Sequence, residues 1–515
     1  MSRITKREHE ALQCARDILY ESRLYDGVLN LMKWDFKAYL PPSGRDWHVE
    51  SRTFLTAKRA ELFTAKESYR IADILAGADP DGWECDIDRG VVRRFLHCFY
   101  QCTKVPADLQ IELTEAHFVC DAAWHAARAK NDYHIWRPAL ENYFEIKYKV
   151  CQLIDPNKHP LEVLMNDYDE DLTVDECGCL LKELKEGVSD IMFKVLPACE
   201  EIDDSFLDVF YESVTDVDAL YRYLTHQFGY TSEKASFAKV VHAWSGSIGP
   251  HDGRVTVSRG NFGIDNLFTA VHEMGHSLYS IGSSQEVVDA GLWGGMTGSA
   301  HESQSRFYEN MICRTPDFWD YFYPFVQERF PQVLGIPVEQ FVRALLKVKP
   351  TLKRTTADEL TYSIHPVIRF EIEKDMFDRV LDFSKLPEIW GDKYEESLGI
   401  RPDNDFEGCL QDVHWTEDFG KFQSYPMGNI FDGALRKCLL VDIPDFYNHL
   451  SNGYFDDINQ WFKDRIHQHG YTYPTMELMR KVTGKEISSR DYLEYLEDKY
   501  FNLFGVAVDT PDVVD

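Results

Sequence analysis

LFTAVHEMGHSLYS, residues 267–280, contains the pattern His-Glu-x-x-His. Its apolar residues Leu267, Val271, Leu278 and Tyr279 have the spacing of a buried helix. On that helix His272 and His276 are one turn apart and project from one face, so both imidazoles can reach a single ion. Glu273 sits one residue further round. There its carboxylate can meet a water beside the ion without itself ligating. Gly275 weakens the helix by roughly 1 kcal/mol relative to Ala, and so small a residue leaves room for substrate or another helix to come close.

Such a pentapeptide arises by chance often enough that a second feature is needed. A catalytic zinc takes a third protein ligand and keeps one position open for water. Downstream, GLWGGMTGSAHESQSRFYEN (291–310) starts a new helical stretch at His301-Glu302, and Glu302 lies 26 residues past His276. That distance allows a loop and a return on a neighbouring helix. Variants with a third histidine in H-E-x-x-H-x-x-G-x-x-H are excluded, because SLYSIGS follows His276. A thermolysin-like Glu-x-x-x-Asp pattern is also absent: the position four residues after Glu302 is Arg306.

The rest of the chain frames this centre. With 515 residues, 44% of them hydrophobic and 14% aromatic, a thick globular body can be buried and disorder is disfavoured. The net charge of −31 excludes a generally nucleic-acid-binding surface and disfavours an anionic membrane surface. The simple reading of that charge is solubility in the cytosol. The N-terminus, MSRITKREHEALQCARDILYE, is charged and helix-like and lacks a secretory h-region, and no run of eighteen apolar residues spans a membrane. The twelve cysteines are scattered, which fits reduced thiols and a cytoplasmic location. Cys98 and Cys102 are i,i+4 and could share an ion, but RRFLHCFYQC is apolar and aromatic and reads as core. Cys177 and Cys179 lack a partner pair at zinc spacing and read as structural.

Helical periodicity recurs from EHEALQCARDILYESRLYDGVLNLMKW (8–34) to PVEQFVRALLKV (337–348), while convincing strand alternation is confined to short pieces such as GRVTVS (253–258). No repeat, long linker or domain boundary is visible, so 1–515 reads as one domain, with 505–515 a loosely held tail. His467 and His469 in HQHG read as a solvated loop, and the glycines of 291–298 as a flexible connection, since no GK[ST] follows them.

Several further stretches together resemble the carboxypeptidase Taq family of metallocarboxypeptidases, nearly end to end. Trp34-Asp35 in NLMKWDFKAYLPPSG is similar to its Trp-Asp…Pro signature. TKVPADLQIELTEA and AWHAARAKNDY are similar to its next helices. HEMGH and HESQ (301–304) match two defining motifs, and Asp252-Gly253-Arg254-Val255-Thr256 matches Asp-x-Arg-x-Thr. Arg354-Thr355-Thr356-Ala357-Asp358 matches Arg-x-x-Ala-Asp, and residues 408–415 match Gly-x-x-Gln-Asp-x-His-Trp. Departures are His242-Ala243-Trp244 where the family has His-Pro-Phe, Lys353 before Arg354, and TEDFGKFQSYPMGN after His414-Trp415, which lacks the usual glycines. They bear on substrate preference and groove shape, not on the metal residues.

The resemblance implies a mainly α fold: one large helical zincin domain with a long deep substrate groove and a few short strands near the active site. It also implies a homodimer. The expected activity is hydrolysis of the C-terminal peptide bond of peptides, with broad specificity, by one zinc per chain on His272, His276 and Glu302, for which cobalt or manganese can substitute. Glu273 is the expected general base towards a zinc-activated water. His242, His414 and Tyr425 are candidate donors to the oxyanion. The free carboxylate of the substrate calls for a planar guanidinium, with Arg354 the first candidate by resemblance and Arg254 the second, for substrate or for structure. Peptides with a free C-terminus are the expected partners. An oligopeptidase of the same architecture and a catalytically dead binding protein are the alternatives. The first differs in cutting amidated peptides, and the second in losing Glu273 or a ligand, neither of which is lost.

Overall fold

The computed structural model describes residues 4–507 apart from 242 and 412, so His242, Asp412 and residues 508–515 of the expected tail lie outside the described residues. Among the described residues 23 α-helices stand against three short strands, which bears out the mainly helical expectation. The chain forms two compact units and enters each three times. The first comprises Met1–Ala107, Phe210–Cys313 and Phe446–Gly484. The second comprises Asp108–Val209, Arg314–Asp445 and Lys485–Asp515.

The first unit opens with the helix Lys6–Ala38, which starts on a capping box. Thr5 Oγ1 accepts from Glu8 N at 3.3 Å, and Glu8 Oε2 accepts from Thr5 N at 2.6 Å. The unit holds the one sheet of the described residues: β1 (Ala235–Val240), β2 (Trp244–Gly249) and β3 (Asp252–Ser258), in the order β1-β3-β2. β3 covers the GRVTVS stretch and lies between the other two, parallel to β1 and antiparallel to β2. The motif helix, Asp265–Ile281, packs on this sheet, on Val214–Gln227 and on Ser299–Arg306. Its buried face includes Leu267, Phe268, Val271, Met274 and Tyr279. Burying each such side chain contributes about 1.5–3 kcal/mol.

Gly275 explains itself in that packing. A Cβ there would stand 2.6 Å from the Gln304 carbonyl oxygen and 2.8 Å from Ser305 Cα. What comes close is a helix: Ser299–Arg306 approaches the motif helix to within backbone contact, which brings Glu302 beside the two histidines.

The second unit is built on Val174–Cys199, Ile364–Phe377, Ser424–Asp442 and Arg490–Phe504, packed on one another. Ile364–Phe377 is buried nearly all round, so its polar side chains need partners inside. Arg369 Nη1 donates to the His365 carbonyl at 2.8 Å and to Tyr394 Oη at 3.0 Å, and Glu373 accepts from Trp415 Nε1 at 2.8 Å and Gly420 N at 3.0 Å. No helix among the described residues is long and apolar enough to cross a membrane.

Candidate metal centre

One nitrogen of His272, one of His276 and a carboxylate oxygen of Glu302 all lie within 4.8 Å of one another. His276 Nε2 is 3.7 Å from Glu302 Oε2. Ligands of a tetrahedral ion held at about 2.0–2.2 Å stand roughly 3.3 Å apart, so small side-chain rotations close this set on a cation. The two imidazoles keep 20% and 18% of their side chains accessible, whereas Glu302 is nearly covered, so one side of the cluster stays open.

Each imidazole has its Nδ1 engaged. His272 Nδ1 lies 2.9 Å from Glu309 Oε2, and a carboxylate only accepts, so Nδ1 carries a proton and Nε2 is the nitrogen that meets an ion once its own proton is displaced. Glu309 belongs to a π-helical turn, Phe307–Ile312, that continues Ser299–Arg306, and it also accepts from Arg306 Nη1 at 3.3 Å. Such turns are uncommon and recur at functional sites. His276 Nδ1 lies 3.3 Å from His301 Nδ1, and His301 Nε2 lies 3.0 Å from the Gly294 carbonyl oxygen. The carbonyl requires a proton on His301 Nε2, which makes His301 Nδ1 the acceptor and His276 Nδ1 the donor. His276, like His272, thereby offers Nε2.

The electrostatics suit a cation. Glu273 and Glu302 act on the His272 imidazole through their charge, and Glu309 is shared between His272 Nδ1 and Arg306 Nη1. The bare protein shows the same demand for positive charge. Burial pulls the His272 imidazole down, but the hydrogen bond to Glu309 and the charges of Glu302, Glu309 and Glu273 outweigh it and push it up to about 9. Burial, then the neighbouring His272 and His301, hold His276 well below the ordinary histidine range. Burial, aided by Glu302, raises the Glu273 carboxyl against the opposing pull of His272, a hydrogen bond to Ser245 and Lys37.

Of the other residues singled out from sequence, Arg254 lies in the same unit. Its guanidinium pairs with Asp252 through Nε at 2.6 Å and Nη2 at 2.8 Å, and lies 5.0 Å over the Trp34 ring. The Asp-x-Arg motif is thus an ion pair on one face of β3, which favours the structural job for Arg254. Arg354, His414 and Tyr425 belong to the second unit. Arg354 starts the short 3-10 turn Arg354–Thr356, donates from Nη1 to Tyr362 Oη at 3.1 Å and lies 4.7 Å over the Tyr425 ring. Asp358 caps the helix Glu359–Tyr362, accepting from Thr361 N and Oγ1, each at 2.9 Å, and from Lys349 N at 3.0 Å. His414 begins the helix His414–Glu417, its ring 4.9 Å from Phe422.

Two sequence expectations change. His467 is buried, 3% exposed, with Nε2 2.9 Å from Gln304 Oε1, so HQHG is no solvated loop at that position. The 291–298 glycines form a tightly packed loop: Gly294 and Gly295 have φ of +110° and +78°, and a Cβ on Gly295 would stand 2.7 Å from the Tyr279 ring. Two residues escaped the sequence reading. Glu309 sits seven residues after Glu302, two helical turns on and hence on the same face, a signal that a search only at the fourth residue passes over. His301 was visible beside Glu302, but its acceptor role depends on the Gly294 carbonyl.

The profile of the family described as carboxypeptidase Taq (M32) metallopeptidase matches residues 15–500. Carboxypeptidase 1 of Bacillus subtilis (strain 168) is 31% identical over 494 residues, covering 95% of this chain and 97% of its own. Thermostable carboxypeptidase 1 of Thermus thermophilus is 30% identical over 497 residues, covering 92% and 95%. Among solved structures, the M32 carboxypeptidase from Deinococcus radiodurans R1 matches with a TM-score of 0.91 at 27% identity, over 96% of this chain and 100% of that one. Kinship of this length, on a fold that brings His-Glu-x-x-His and Glu302 together, has one meaning: the chain belongs to the carboxypeptidase Taq (M32) family and is a metallocarboxypeptidase, a peptide hydrolase that works with a divalent metal.

Proposed function

We propose that this metallocarboxypeptidase is a zinc enzyme that hydrolyses the C-terminal peptide bond of peptides with broad specificity. The observation that carries this reading is the donor set: two imidazoles whose Nδ1 atoms are both engaged, leaving Nε2 for an ion, and one nearly buried carboxylate within 4.8 Å. These are the ligand types of a catalytic zinc, and cobalt or manganese can use them too. When bound, the ion supplies a positive charge that acidifies water and polarises a carbonyl.

The chain's own residues do the rest. Glu273 takes the proton of the attacking water on its carboxylate and returns it to the leaving amine. We assign donation to the developing oxyanion to the set His242, His414 and Tyr425. Arg354 receives the terminal carboxylate of the substrate, its guanidinium oriented by Tyr362 and Tyr425. Arg254, already paired with Asp252, is the lesser candidate. We take residues 1–515 as a single catalytic domain acting in the cytoplasm as a homodimer. All twelve cysteines being free thiols supports a reducing compartment, and the family resemblance supports the dimer. Light scattering on the purified protein tests the latter, and a mass of one chain contradicts it.

The deciding experiment is mass spectrometry of the products from one free-carboxylate peptide and its amidated twin, with and without chelator. The expected result is stepwise loss of single C-terminal residues from the free peptide only, abolished by chelator. Internal fragments from both twins contradict the exopeptidase reading, and products that survive chelation contradict the metal.

A further inference from the structure

The two ligand histidines are supported by different chemistry. His272 hands its Nδ1 proton to a carboxylate, Glu309, whereas His276 hands it to a second imidazole. We propose that His301 is a positioning residue for the metal: a neutral imidazole that accepts the His276 Nδ1 proton and so keeps the Nε2 lone pair of His276 directed at the ion. This inference rests on the reading of His272, His276 and Glu302 as the metal ligands.

His301 is held for that task from its far side. Its Nε2–H donates to the Gly294 carbonyl at 3.0 Å, which leaves Nδ1 with its lone pair towards His276. The ring lies 4.8 Å from Tyr279, whose hydroxyl accepts from Met296 N at 3.0 Å. Tyr279 thus braces His301 and, from the same motif helix, the loop that carries Gly294. The peptide before Gly294 is anchored in turn: Arg23 Nη2, on the helix Lys6–Ala38, donates to the Trp293 carbonyl at 2.5 Å. At +110° the backbone of Gly294 is closed to ordinary side chains, so aiming its carbonyl at His301 requires glycine. The relay His276–His301–Gly294 therefore has a fixed end, a fixed proton order and a single free lone pair, on His276 Nε2.

Three substitutions separate positioning from mere packing. His301→Asn keeps an acceptor near the place of Nδ1, His301→Gln keeps a group near Nε2 but none at Nδ1, and His301→Phe keeps the ring and loses both contacts. Zinc affinity is measured by competition with a chromophoric chelator on the metal-stripped full chain, with the melting temperature of the stripped protein as a control for folding. His301→Phe and His301→Gln should bind zinc about 10- to 100-fold more weakly at a nearly unchanged melting temperature of the stripped protein, and His301→Asn should stay within a few-fold of wild type. Where His301→Phe does not fold, the Asn and Gln pair makes the same comparison. Equal affinity for wild type and His301→Phe, or equal losses for His301→Asn and His301→Gln, overturns the relay and leaves the metal reading standing. A wild-type chain that binds no zinc overturns both.

Discussion

Each unit buries a cluster of ionisable side chains, and the two are finished in opposite ways. In the second unit Glu359 is fully covered. It accepts from Tyr495 Oη at 2.8 Å and Tyr500 Oη at 3.3 Å, and it pairs with Lys499, whose ammonium also donates to Tyr495 Oη at 3.0 Å. Burial pulls the Lys499 ammonium down to about 8 against the upward pull of Glu359, with Arg314 and Arg436 adding to the fall, so every charge acting on it comes from the chain itself. In the first unit Glu273, Glu302 and Glu309 gather around two imidazoles whose protons are directed away from the centre of the cluster. A carboxylate with its own ammonium is architecture. Carboxylates and imidazole lone pairs converging on one point, with a side open, make a receptor for an imported cation.

The comparison can be broken at either end. Glu273→Gln should leave metal content at the wild-type level and lower peptide turnover by about 10²- to 10⁴-fold, the usual worth of a general base. Elemental analysis and kcat on one peptide read both, and a turnover within a few-fold of wild type would remove Glu273 from the reaction. In the other cluster, Lys499→Met strands the Glu359 charge and should destabilise the fold by about 3–5 kcal/mol, with zinc affinity unchanged in protein that remains folded. Denaturant melts with parallel zinc titration check this, and a selective loss of zinc binding would mean the two clusters are not independent.

Glu309→Gln is subtler. A neutral amide still accepts the His272 proton but removes one negative charge, so zinc binding should weaken about 10- to 100-fold without a large loss of stability. Unchanged affinity would show that Glu309 only positions and contributes no charge. Acid acts on the fold gradually. Burial holds His467 neutral down to about 3, against an ordinary 6.5. Between those values the unfolded chain binds more protons than the folded one, so stability is intact above 6.5 and declines as pH falls towards 3, by about 1.4 kcal/mol per pH unit from this group. His301, held down to about 4 by burial, adds its own share over a narrower range. His467→Gln should flatten the acid limb of stability against pH, and superimposable limbs would assign the acid sensitivity elsewhere.

What sequence could show followed from what is local in the chain. The i,i+4 histidines, Glu302 at the head of a helix and the GRVTVS strand are short-range patterns, and each is realised as read. The division into two units is not local, because each is assembled from three segments distant in the chain. His467 and the 291–298 glycines were misread for a related reason: polar and flexible residue types became buried structure only once Gln304, Tyr279 and Arg23 closed on them. Glu309 depended on a π-helical turn that no propensity scale marks.

The account stands or falls on how metal partitions among ligand and non-ligand side chains of one helix. Native mass spectrometry of wild type, Glu273→Gln and His276→Ala, each purified with zinc and passed through the same desalting step, measures this directly. The predicted result is one zinc per chain for wild type and for Glu273→Gln, and none for His276→Ala. Equal zinc in all three, or a Glu273→Gln protein as empty as His276→Ala, would contradict the division of His-Glu-x-x-His into two ligands and a base.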